Sequence, residues 1–276
     1  MAYCYVNGKI IPEKTACLPV RDMGIVRGYA VFDVMRTYGK TPFLAREHFE
    51  RLERSAAALG LRVPFSEEKF TRIVHELCEK NTCKNAMIRT VITGGETKDS
   101  MHFRQRAQSI FIITTLLSAL AKDVYEKGVV LETLEHKREL PHAKTTNYIT
   151  AARWHNTPRI KPVFDALYVW KGKALEATTS NFFIVKGATI ITPKRNVLHG
   201  ITRNTVIGLA KKTVRMIERD ITARELKTAD EAFLTATNKE IVPVVMIDGK
   251  KIGSGKPGKR TKALMSAFAA YVKNAS

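Results

Sequence analysis

Apolar residues recur along this chain with two different periods, and the change of period divides it into strands and helices. Residues 2–11 form two short strand-like runs about Asn7-Gly8, a pair that favours a tight hairpin turn. Residues 28–38 mix β-branched and aromatic side chains and end at Gly39-Lys40, again in the manner of a hairpin. From Ala45 to Leu59 the period lengthens. Phe49, Leu52, Ala56 and Leu59 recur at helical spacing. A second helix is expected over 66–80, with Ser66 as N-cap and Glu67 and Glu68 where the helix dipole favours acid. Strands follow at 86–93 and 109–117.

A boundary falls just beyond. The pattern predicts a smaller N-terminal domain over 1–117, a linker at 118–123 and a larger C-terminal domain over 124–276. In the second part strands are expected at 129–134, 165–170, 181–186, 189–192, 231–235 and 244–247. Helices are expected at 146–156, 202–218, 222–228 and 260–274. Lys171-Gly172, Lys186-Gly187 and Asp248-Gly249 each separate strand-like runs, and 253–258 reads as a loop. No internal repeat is present. The fold class is α/β, of the mixed α+β kind, in two domains.

Composition narrows the function classes. A hydrophobic fraction of 45% and a charged fraction of 26% are those of an ordinary globular protein. The longest apolar run, 109–120, is broken by Thr114, Thr115 and Ser118 and is too short to span a membrane. The first eight residues lack the basic and apolar regions of a secretory signal, so a cytoplasmic location is expected. Cys4, Cys17, Cys78 and Cys83 form no C-x-x-C pair and have no histidine at metal spacing, which predicts free thiols and no metal site. The net charge of +20 raises the question of nucleic acid. Its Lys and Arg are spread over the whole chain, and the densest run, 250–262, carries no aromatic residue. That argues against nucleic-acid binding as the primary function.

Four segments carry residue types suited to chemistry. Lys144 lies in Leu140-Pro-His-Ala-Lys-Thr-Thr-Asn-Tyr148, at an expected turn between a strand and a helix. Gly200-Ile201-Thr202-Arg203 opens a helix, where exposed N–H groups, a hydroxyl and a positive dipole end suit an anion; an ordinary N-cap by Thr202 is the plainer reading. Thr235-Ala-Thr237-Asn-Lys-Glu240 closes a strand with a hydroxyl-rich turn. Glu176 stands just before the strand that begins at Asn181. Each signal alone is weak.

Taken in order they resemble the fold-type-IV pyridoxal-phosphate (PLP) enzymes: D-amino-acid and branched-chain aminotransferases and aminodeoxychorismate lyase. The likeness runs from Val6-Asn7-Gly8 to Ile247-Asp248-Gly249-Lys250 and includes His48-Phe-Glu-Arg51-Leu52, the Lys144 segment, Glu176 with Ser180-Asn181-Phe182, Leu198-His-Gly200-Ile201-Thr202-Arg203, and Thr235-Ala-Thr237 with Glu240-Ile-Val-Pro243. The resemblance implies a homodimer of two-domain subunits with PLP at the domain interface, acting by ping-pong transamination between an amino acid and a 2-oxo acid such as 2-oxoglutarate. It implies that Lys144 holds the cofactor as a Schiff base and shuttles a proton. Glu176 would pair with the pyridine nitrogen and Arg51 with the phosphate. Ile201, Thr202 and Thr237 would complete the phosphate site, with Asn181 and Gly200 beside them. Leu198 would lie under the ring and Tyr148 near its oxygen.

Ser180-Asn181-Phe182, Thr235-Ala-Thr237-Asn-Lys-Glu240 and Asp248-Gly-Lys-Lys-Ile resemble the D-amino-acid type most, and D-alanine or D-glutamate is the substrate expected first. Branched-chain L-amino acids and lyase chemistry are the alternatives. The Arg-x-His pair with which the D-type traps a substrate carboxylate is missing from Gly94-Gly-Glu-Thr-Lys-Asp-Ser-Met-His102-Phe103. Arg27 and Arg89 are expected to replace it, and Arg36 matches an arginine of the branched-chain pattern. A basic non-enzymatic binding protein on the same fold would be expected to have lost Lys144, Glu176 or Arg51, and all three are present.

Overall fold

The computed structural model describes residues 2–99, 101–102, 104, 107–160 and 162–275. Ser100 and Phe103 of the 94–103 segment therefore lie outside the described residues. Two compact units emerge: residues 1–118 with 143–148 and 275–276, and residues 119–142 with 149–274. The chain thus returns to the first unit for the six residues around Lys144.

The first unit is a six-stranded antiparallel sheet backed by helices. Its elements are β1 (Tyr3–Val6), β2 (Lys9–Pro12), α1 (Met23–Val26), β3 (Ala30–Tyr38), β4 (Thr41–Pro42), α2 (Ala45–Ala58), α3 (Glu67–Lys80), β5 (Ala86–Thr93) and β6 (Ile110–Leu116). The order is β2-β1-β6-β5-β3-β4. Side chains alternate faces along a strand. Val31, Met35, Ile88, Ile92, Ile110 and Ile112 point to the helix side and form one core with Phe49, Leu52 and Ala56 of α2 and Phe70, Ile73, Val74 and Leu77 of α3. Burying Phe49 and Leu52 stabilises the α2 contact by roughly 1.5–3 kcal/mol each. Ser66 caps α3, its Oγ accepting from the Lys69 N–H. The opposite face carries Ala30, Phe32, Arg36 and Val91, which are buried, and Val34, Met87, Arg89, Phe111 and Ile113, of which only Arg89 is exposed.

The second unit contains α4 (Lys122–Glu126), β7 (Val129–Glu135), α5 (Ile149–Asn156), β8 (Asp165–Trp170), β9 (Lys173–Ala177), β10 (Asn181–Lys186), β11 (Thr189–Thr192), α6 (Ile201–Ala210), β12 (Arg215–Glu218), β13 (Ile221–Thr222), α7 (Ala223–Thr228), β14 (Glu231–Ala236), β15 (Glu240–Ile247), β16 (Lys250–Lys251) and α8 (Lys259–Ala275). The sheet order is β12-β11-β10-β14-β15-β7-β8-β9-β13, and β10 also pairs with β9 through Asn181 and Glu176. That last pairing closes β10-β14-β15-β7-β8-β9 into a ring whose interior packs Leu131, Leu167, Phe182, Ile184, Leu234 and Val242. The seam of the ring is where Glu176 and Asn181 meet.

Two expectations are corrected. The helix expected over 202–218 ends at Ala210, and Arg215–Glu218 forms β12, parallel to β11. The Val214 N–H returns to the Ala210 carbonyl, and Glu218 pairs with the buried Arg203, so tertiary pairing overrides the helical pattern. The helix expected from residue 146 begins at Ile149, because the chain before it is extended along β3: the Phe32 N–H donates to the Lys144 carbonyl and the Thr146 N–H to that of Ala30. Glu176 stands ahead of the strand that begins at Asn181, as expected, and is itself part of β9.

Candidate active site

In the first unit, α2 turns His48, Arg51 and Ser55 to one buried side, as the spacing of three and four requires. Arg51 grips the Asp33 carboxylate side-on with one edge of its guanidinium, Nε to Oδ2 at 2.7 Å and Nη2 to Oδ1 at 3.0 Å. His48 Nδ1 meets Asp33 Oδ1 at 2.6 Å. Burial opposes the Asp33 charge, but Arg51 and His48 outweigh it and hold the carboxyl well below the usual carboxylate range. Burial also lowers the proton affinity of His48 against the pull of Asp33, with Arg51 and Lys144 adding to the effect. Ser55 Oγ accepts the Lys144 backbone N–H at 3.1 Å, so the same helix fixes the lysine's peptide.

The Lys144 amine is half-buried. Its Nζ lies 4.5 Å from the centre of the Phe32 ring and 3.5 Å from the Tyr148 hydroxyl. Tyr148 packs edge-on against Phe32 at 5.5 Å. The Arg89 guanidinium lies 5.0 Å from the same Phe32 ring, so an amine, a phenol and an exposed cation gather around one aromatic side chain. Arg27 is exposed at the C-cap of α1, its Nη1 donating to the Val26 carbonyl at 3.0 Å. Arg36 is buried over the Tyr38 ring at 3.8 Å.

In the second unit, Glu176 is buried at the seam with both oxygens engaged. Arg138 Nε donates to Oε1 at 2.8 Å, the Leu198 N–H to Oε2 at 2.9 Å, and Asn181 Nδ2 to Oε2 at 3.4 Å. Asn181 also donates to the Leu198 carbonyl at 2.6 Å, which fixes the loop ahead of α6. That loop ends at Gly200, the N-cap of α6, and no side chain caps the helix. Ile201 and Thr202, both buried, therefore begin a helix whose opening N–H groups are served by no capping side chain. Gly200 is required here, because an added Cβ would stand 2.2 Å from Asn181 Oδ1. Thr237 opens the turn after β14, and Lys239 of the same turn donates to Thr179 Oγ1 at 2.8 Å. The structure thus gathers Glu176, Asn181, Leu198 and Gly200 into one network.

Asp33, Ser55 and Arg138 have no role in the sequence reading, and His48 enters it only within a motif. Asp33 leaves a signal, since it occupies a core-facing register between Val31 and Met35. Arg138 leaves none. Among the described residues no group of three or more His, Cys, Asp or Glu could hold a metal, and no helix is long and apolar enough to cross a membrane.

Comparison with known proteins shows the family. Residues 30–247 match the family described as amino-transferase class IV. A putative branched-chain-amino-acid aminotransferase of Methanocaldococcus jannaschii is 34% identical, over 96% of this chain and 94% of that protein. A D-alanine aminotransferase of Bacillus licheniformis is 29% identical over 95% of this chain and 94% of its own. The crystal structure of the T.th. branched-chain amino acid aminotransferase with pyridoxamine 5'-phosphate superposes with a TM-score of 0.89 at 26% identity, covering 100% of this chain and 95% of the other. The chain belongs to the class IV aminotransferases.

Proposed function

We propose that this aminotransferase uses PLP, with Lys144, Tyr148, Arg51, Glu176, Asn181, Leu198, Gly200, Ile201, Thr202 and Thr237 as its binding residues. The carrying observation is the Lys144 amine, anchored by Ser55 at its peptide and set beside the Tyr148 hydroxyl and the Phe32 ring. The donor set fits the cofactor group by group: an amine for an aldehyde, a phenol for a ring oxygen, a buried carboxylate for a pyridine N–H, and a guanidinium, helix N–H groups and hydroxyls for a phosphate. When bound, the cofactor supplies an aldehyde that captures amines and a ring that accepts electrons from the substrate α-carbon. Lys144 would hold the cofactor through its Nζ, and the same amine, once free, would carry the proton to and from that carbon. The Tyr148 hydroxyl orients the amine. Glu176, fixed by Arg138 and the Leu198 N–H, holds the ring-nitrogen proton at its carboxylate.

A substrate carboxylate leaving water needs a cationic partner. Arg89, on the Phe32 ring that also touches Lys144, is the cation we assign to it, and Arg27 is the second candidate. The substrate reading is a D-amino acid of the D-alanine or D-glutamate type with a 2-oxo acid as acceptor, on the Ser180-Asn181-Phe182 and Thr235–Glu240 motifs. A second reading, branched-chain L-amino acids, is favoured by the name of the Methanocaldococcus jannaschii relative. The family likeness supports assembly as a homodimer, and the four free cysteines fit a reducing cytosol.

The test is direct. Protein loaded with PLP is reduced with borohydride and digested, and a pyridoxyl adduct is expected on the peptide holding Lys144. Its absence defeats the reading. The unreduced form is then mixed with single D- and L-amino acids while its visible absorbance is followed. Bleaching by D-alanine or D-glutamate is expected, and a response confined to branched-chain L-amino acids selects the second reading.

A further inference from the structure

We propose that Asp33 is a positioning residue for cofactor binding, clamping Arg51 so that a single edge of its guanidinium meets the phosphate. The inference rests on the assignment of Arg51 to the phosphate made above. Nε and Nη2 of Arg51 are both committed to Asp33, at 2.7 and 3.0 Å, which leaves the edge at Nη1 for an anion. His48 Nδ1 meets Oδ1, the oxygen that also accepts from Arg51 Nη2, at 2.6 Å, and lies 3.4 Å from Nη2 itself. All three side chains are buried: Asp33 is 4% exposed, His48 1% and Arg51 5%.

The charges make the arrangement informative. Burial disfavours charge on His48, and its neutral ring donates Nδ1–H to the carboxylate. The trio then sums to zero, one guanidinium against one carboxylate. A neutral trio gives a phosphate little long-range attraction, so what it offers is a donor edge fixed in place. The same helix sets the distance scale. Ser55, four residues after Arg51 and about 6 Å along the axis, receives the Lys144 N–H. Loosening Arg51 therefore loosens the phosphate relative to the amine that must capture the aldehyde.

Charge and positioning predict opposite signs for Asp33→Asn. By charge alone, deleting a carboxylate beside an anion site tightens phosphate binding. By positioning, it frees the guanidinium and weakens that binding. The experiment measures capture of PLP and of pyridoxal, which lacks the phosphate, by the apoprotein of wild type and variant, with circular dichroism and thermal melting alongside. Asp33→Asn is expected to weaken PLP capture about tenfold or more, the scale of one charged hydrogen bond, while pyridoxal capture changes by less than about twofold. Equal or tighter PLP capture by a folded Asp33→Asn protein overturns the inference. Should that variant not fold, Asp33→Glu decides: it keeps the charge and shifts the clamp by one methylene, and an unchanged ratio of PLP to pyridoxal affinity overturns the inference equally. A wild type that captures neither aldehyde defeats the functional reading instead, so the two failures remain distinct.

Discussion

The two units build their polar centres from different material. In the first, side chain holds side chain: His48 and Arg51 close on Asp33, all on the apolar interface between β3 and α2. In the second, backbone does half of the holding: Glu176 takes the Leu198 N–H, Asn181 takes the Leu198 carbonyl, and α6 starts at an uncapped glycine. The first centre can thus be dismantled by trimming one functional group. The second resists such trimming but is vulnerable to any atom added where backbone and side chain approach closely.

The largest effect is expected from Lys144→Ala, which sharpens the comparison by removing chemistry while leaving both centres standing. The Lys144 peptide is held through its backbone N–H, and the side chain lies over Phe32 without serving the Asp33 cluster. Transamination should fall by about 10⁴-fold or more, since general acid–base work alone contributes up to that order. Thermal melting of the apoprotein should move little. A large drop in melting temperature would show that the amine supports the fold of the first unit, and the separation of chemistry from scaffold would fail.

Gly200→Ala is the corresponding blow to the second centre and is expected to be smaller. The backbone at Gly200 is ordinary, with φ −66°, so an alanine is excluded by space and not by conformation. Its Cβ would stand 2.2 Å from Asn181 Oδ1 and 3.5 Å from the Arg203 Cβ. Asn181 must turn away, and its bonds to the Leu198 carbonyl and to Glu176 go with it. A stability loss of about 1–3 kcal/mol in urea denaturation is expected, with weaker PLP binding. Pairing Gly200→Ala with Asp33→Asn should give additive losses of apoprotein stability, because the hydrogen bonds described for the two centres have no residue in common. Strong non-additivity would break the division drawn here.

How far the sequence shows this architecture follows the same division. Strands such as 86–93, 165–170, 181–186 and 189–192 end at the expected residues because a turn and a period change agree at each boundary. The 211–218 segment misleads because Arg-Met-Ile-Glu suits a helix or a strand equally. The decision belongs to β11 and to Arg203, which no local window contains. Lys144 has no distinguishing local pattern, and only the resemblance of the whole series of motifs marks it. Asp33 is readable in principle, as a carboxylate in a core-facing register, whereas Arg138 meets Glu176 across 38 residues with nothing local to announce it.

The smallest expected effect is a pH dependence, and it differs between the centres in degree rather than in sign. Burial holds His48 neutral in the fold below its ordinary value of 6.5, Arg51 and Lys144 adding to it against Asp33. Above that value neither the folded nor the unfolded chain carries the proton, so His48 contributes its full stability. As pH falls through 6.5 the unfolded chain takes up a proton that the fold resists, and stability is lost. His136 of the second unit is also held low, by burial and then by Arg138, but it is only half-buried. The melting temperature of the apoprotein should therefore drop between about pH 7.5 and 5.5, with a slope of at most about 1.4 kcal/mol per pH unit for each histidine. His48→Gln, whose amide can still donate to Asp33, should flatten that slope more than His136→Gln does. Equal slopes in the two variants would mean that the half-buried site of His136 disfavours a charge as strongly as the closed trio around Asp33, and burial would not be what sets the two apart.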